Sequence, residues 1–154
     1  MTNPVDDRTG AIDYDAALIL DAEELAEQAV AAAYEELSRE LSELGIASAS
    51  VSEHADAEAG TYVVQCGGTS YSISGPSIPA SDCWGLATYA LFDIVNRQLA
   101  GQRLALYALN GGNDLFGIFM TPAQAERSRG ALPRKSDWPY TPTAEPDWFG
   151  MYHD

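Results

Sequence analysis

The sequence predicts an α+β domain: a mainly antiparallel sheet of four or five strands, with two long helices packed on one face. Three observations carry this. Apolar residues recur at intervals of three and four across 22–44 and again across 82–100, the period of a buried helix face. Short β-rich runs flank glycine turns between and after those stretches. The resulting order is helix, three strands, helix, two strands and a short helix, followed by a proline-rich tail.

Residues 1–20 read as an acidic, loosely held arm. The helix over 22–44 spans about 23 residues and roughly 35 Å at 1.5 Å per residue. Asp21 is suited to cap it, Glu24 stands where a capping box places its acid, and Gly45 is a natural stop. Ala26, Val30, Ala33, Leu37, Leu41 and Leu44 form one apolar stripe. Glu35 is spaced to pair with Arg39, while Glu36, Glu40 and Glu43 make a like-charged row beside the stripe.

A modest strand is expected over 47–54. Thr61–Cys66 and Thr69–Ser74 then flank Gly67-Gly68, a two-residue hairpin turn. Tyr71 and Ile73 alternate with Ser70, Ser72 and Ser74, which predicts one buried and one wet face. Gly75-Pro76-Ser77-Ile78-Pro79 breaks the sheet. The second helix, 82–100, is expected to be capped by Ser81 and stopped by Gly101, with Leu86, Tyr89, Ala90, Ile94, Val95 and Leu99 inward. Arg103–Leu109 and Leu115–Met120 form another hairpin across Asn110-Gly111-Gly112-Asn113-Asp114. Thr121-Pro122 opens a short helix that ends near Gly130.

The domain proper thus covers 21–132. Over 133–154 four prolines forbid regular structure while Trp138, Tyr140, Trp148, Phe149 and Tyr152 supply apolar area, so a strap packed over the same domain is expected. The alternative use of those aromatics is as a contact surface for a partner.

Charge is the unusual feature. Residues 1–60 carry 15 Asp or Glu against Arg8 and Arg39, a net of −13. Residues 61–154 carry 8 acids against 6 bases, a net of −2. Such a field repels nucleic acid and anionic membrane and speeds encounter with basic surfaces. The plainer account is solubility. No run approaches the roughly 18 apolar residues of a membrane span. The acidic start Met1-Thr2-Asn3-Pro4-Val5-Asp6-Asp7 is unlike a secretory signal, which predicts a cytoplasmic protein. Cys66 and Cys83 are too few for a disulfide framework.

Candidate chemistry is sparse. Cys83, in Ser81-Asp82-Cys83-Trp84-Gly85-Leu86, opens a helix whose N-terminus would lower a thiol's pKa. The segment resembles the Asp-Cys-Ser-Gly-Leu motif of papain-like peptidoglycan amidases, with Trp84 in place of the serine. That family places a histidine on the strands that follow, and here those strands hold none. Only His54 and His153 exist, and a thiol nucleophile needs a base within about 3 Å. A structural cysteine is the competing account. Two histidines and two cysteines at unrelated spacings make no metal site, Asn110–Asp114 lacks the alternating ligands of a calcium loop, and no cofactor is implied.

Small size, acidity, an α+β pattern and few catalytic residues resemble, at the level of class, the immunity proteins that inhibit bacterial toxins. That resemblance implies a non-enzymatic cytoplasmic protein that engages another protein with a basic surface. The expected contact set is Glu36, Glu40 and Glu43, helped by Glu35 and by Glu53, Asp56 and Glu58. The alternatives are a Cys83-dependent hydrolase and an adaptor or chaperone that holds a chain through its aromatic strap.

Overall fold

A computed structural model of the chain describes residues 3–144. It contains two three-stranded antiparallel sheets, so the single sheet of four or five strands is corrected. The elements run β1 (Leu18–Ile19), α1 (Ala22–Glu24), α2 (Val30–Glu43), β2 (Val51–Asp56), β3 (Thr61–Cys66), β4 (Thr69–Ser74), α3 (Cys83–Gln98), β5 (Ala105–Leu109), β6 (Phe116–Met120) and α4 (Pro122–Ala131). One sheet has the order β1-β6-β5 and the other β2-β3-β4.

Helix α3 lies between the sheets, touching β4 on one side and β5 on the other. Its buried residues therefore cover more than half of its circumference: Gly85, Ala87, Thr88, Ala90, Leu91, Phe92, Ile94 and Val95. A helix with this pattern is an interior element, not a one-faced cover. Each large side chain here gains about 1.5–3 kcal/mol from leaving water. The expectation of helices on one face fails for this reason. Thr88 is accommodated because its hydroxyl donates to the Trp84 carbonyl at 2.8 Å.

Period-two alternation gives the β5–β6 hairpin two buried faces. Leu106 and Ala108 join α2, α3 and the second sheet in the main core. Tyr107, Leu109, Ile118 and Met120 form a second core with Ala125 of α4 and Val5. The N-terminal arm is thus packed. Val5 is fully buried and bridges Ile12, and Leu18 pairs with Gly117. Gly10 at φ +76° lies so close to α4 that a Cβ there would meet the Arg127 carbonyl oxygen at 2.8 Å. The Asp6 carboxylate closes the intervening turn by accepting from Arg8 N–H and Thr9 N–H, at 2.7 and 3.0 Å. These bonds hold its pKa below the ordinary value.

The predicted 22–44 helix is interrupted. Asp21 caps α1 by accepting from Glu23 N–H at 2.9 Å. A wide turn over Leu25–Ala29 then departs from helical dihedrals at Glu27 and at Gln28, whose φ is +74°. The apolar spacing continues across this break, so the pattern conceals it. Val30 N–H donates to the Tyr62 hydroxyl of β3 at 3.3 Å, and that hydroxyl donates to Glu53. Beyond the break the predicted stripe holds: Val30, Leu37 and Leu41 are fully buried, with Ala33 and Leu44 packed beside them.

Smaller corrections are local. Strand β2 begins at Val51, not 47. Ser81 lies in a 3-10 turn (Ala80–Asp82), and Asp82 occupies the cap position of α3 without a side-chain bond. Thr121 and Gln124 form the reciprocal capping box of α4, which extends one residue past Gly130. Over the described part of the tail, 133–144, two of the predicted aromatics are tied to the domain. Tyr140 pairs with Ala108 and donates its hydroxyl to the Asn110 carbonyl at 2.6 Å, while Trp138 Nε1 donates to Leu132. Trp148, Phe149 and Tyr152 lie outside the described residues.

Candidate functional site

Seven carboxylates carry the predicted contact surface, and the structure divides them. Glu35, Glu36, Glu40 and Glu43 are exposed along α2. The expected Glu35–Arg39 pair does not form. The ion pairs among the described residues are Arg97–Asp93, Arg127–Asp7 and Arg134–Asp137. The four α2 acids therefore keep their charge unopposed, at a cost of a few tenths of a kcal/mol for each like-charged neighbour on the helix.

The acids near β2 are partly committed within the molecule. Glu53 stands opposite Val64 on the helix-facing side and accepts the Tyr62 hydroxyl. Asp56 closes the β2–β3 turn by accepting from Glu58 N–H at 3.0 Å and Ala59 N–H at 3.3 Å. Glu58 remains exposed in that turn. These three do not join the α2 row in one cavity.

What the fold does gather is a cleft of about 1060 Å³ between the N-terminal segment, the end of α2 and the β5–β6 hairpin. Glu40 and Glu43 line it with Asp7 and Asp15. Glu35 and Glu36 lie outside it. Leu18, Leu44 and Phe119 contribute apolar lining, and Arg103 is the cation present. Asp7 is held by Arg127 at 3.0 Å, which leaves Asp15, Glu40 and Glu43 without an ion pair among the described residues. Asp7 and Asp15 are missed at the sequence level. The available signal is the turn Asp6–Gly10 between two apolar residues, Val5 and Ile12, which makes the arm a packed hairpin-like segment.

In the near-neutral half, Asp93 and Asp137 are held in ion pairs by Arg97 and Arg134. Arg97 donates to Asp93 at 2.7 Å and to the Thr69 hydroxyl at 3.2 Å, and Asp93 also accepts the Tyr71 hydroxyl at 2.5 Å. Burial and this bond push the Tyr71 phenol well above its usual range. Arg129 is spent on the Pro139 carbonyl at 2.9 Å, which anchors the strap.

Cys83 opens α3 as expected, but its thiol donates to the Pro79 carbonyl at 3.7 Å. Burial raises its pKa and Asp82 adds to the rise, opposite in direction to the lowering expected at a helix N-terminus. His54 stands opposite Val63, on the sheet side turned away from the helices by strand alternation. His153 lies outside the described residues. Among the described residues no cluster of His, Cys, Asp and Glu could hold a metal ion, and no helix is long and apolar enough to cross a membrane. No protein-family model matches the chain, and neither a curated protein nor a solved structure does.

Proposed function

We propose that this is a binding protein that neutralises a basic protein partner, in the manner of an immunity protein inhibiting a bacterial toxin. One observation carries the reading. The exposed acids of α2 form no ion pair among the described residues, whereas Asp93 and Asp137 in the second half are each paired with an arginine. Uncompensated surface charge weakens the isolated fold slightly, and its physical use is to steer and hold a partner of opposite sign. The raised thiol of Cys83 and its bond to Pro79 support a binding role over a Cys-dependent hydrolase. In the cytoplasm such a protein would meet its partner without cofactor or metal.

The test is co-expression with the product of the adjacent reading frame. The reading requires that product to be toxic alone and harmless with this chain. A non-toxic neighbour and no basic partner on purification would refute it.

A further inference from the structure

We infer that the cleft between the N-terminal segment and the end of α2 receives a basic segment of the partner protein that also presents an apolar side chain. The inference rests on the binding reading above and narrows it to one address. A void of about 1060 Å³ is too large for an ion and matches several side chains of an inserted segment. Its chemistry is divided: Asp15, Glu40 and Glu43 supply unpaired negative charge, while Leu18, Leu44 and Phe119 pack on the main core and turn remaining apolar surface into the cleft. A purely cationic ligand would leave that lining wet, and a purely apolar one would strip water from carboxylates without replacing it. A lysine- or arginine-bearing segment with an aromatic or aliphatic residue satisfies both, with the long cationic stems lying along the apolar lining. Arg103, the cation in the cleft, makes no ion pair among the described residues, so the incoming charges compete with little that is already in place.

The probes are a ten-residue lysine peptide with a central tryptophan, an all-lysine peptide of equal length, and spermine. Each is titrated into the full chain by calorimetry and by amide chemical shifts. The tryptophan peptide is expected to bind tightest and to shift the amides of Leu18, Leu44 and Phe119. Glu40→Gln with Glu43→Gln should weaken it about tenfold, whereas Glu35→Gln with Glu36→Gln, an equal loss of charge outside the cleft, should weaken it less than about threefold. Equal effects of the two pairs would overturn the cleft while leaving a charge-driven binding surface. Spermine binding as tightly as the tryptophan peptide, or no saturable peptide binding, would also overturn it. If no α2 variant alters binding of the native partner either, the acidic-surface reading fails with it.

Discussion

Replacing Gln28 by glycine asks whether the N-terminal helix is broken where the structure breaks it. Gln28 holds φ +74°, a left-handed conformation costing a side chain with a Cβ about 1–2 kcal/mol. Glycine removes that cost but gives the unfolded chain extra freedom, worth about 0.4–1 kcal/mol. The net expectation for Gln28→Gly is a gain of about 0–1.6 kcal/mol. A continuous helix over 22–44 predicts the opposite sign, a loss of about 1 kcal/mol for glycine in a helix interior. Ala32→Gly, at an exposed position inside α2, is the matched control and should lose about that amount. Urea unfolding followed by far-ultraviolet circular dichroism resolves the difference, provided the slope with urea is unchanged. A Gln28→Gly variant destabilised as much as Ala32→Gly would refute the break and the role assigned to Tyr62.

Three further outcomes follow from the same geometry. Tyr62→Phe removes the hydroxyl that serves the buried Val30 N–H, and should cost about 1–3 kcal/mol, or roughly 2–4 °C in Tm per kcal/mol, measured by calorimetry. Gly10→Ala should cost at least about 1 kcal/mol from the positive φ, with a further loss from the clash with α4, and amide exchange at Val5 should accelerate. Cys83 should react with a thiol probe more slowly than a free cysteine at neutral pH. Its rate should rise only above the usual thiol midpoint, since the thiolate is the reactive form; a midpoint near neutrality would instead restore the hydrolase.

Local chemistry made much of the fold readable. Gly67-Gly68 between two alternating runs, and Thr121-Pro122 followed by Gln124, specify a hairpin and a capped helix within a few residues. What escaped depends on distant partners. Whether β5–β6 joins β3–β4 or stands across α3 from it is decided by burial of both faces of α3, which apolar spacing in that helix permits but does not dictate. The break at Gln28 is invisible because the stripe keeps step across it, and its stabilising hydroxyl comes from Tyr62, far along the chain. The site shows the same division. Glu40 and Glu43 were legible as an exposed helix row, but their companions Asp7 and Asp15 reach the cleft only because Val5 anchors the N-terminal segment beneath the β5–β6 hairpin.

The central claim concerns what the unpaired charge of α2 is for. The most direct measurement is the association rate of this chain with the basic partner it is proposed to neutralise as ionic strength is raised, for the native protein and for Glu36→Lys with Glu40→Lys. Steered association should fall by about tenfold or more from low to high salt, and the double reversal should be slower at low salt with a flattened dependence. A rate indifferent to salt and to both reversals would contradict the account and move the interface to the aromatic tail.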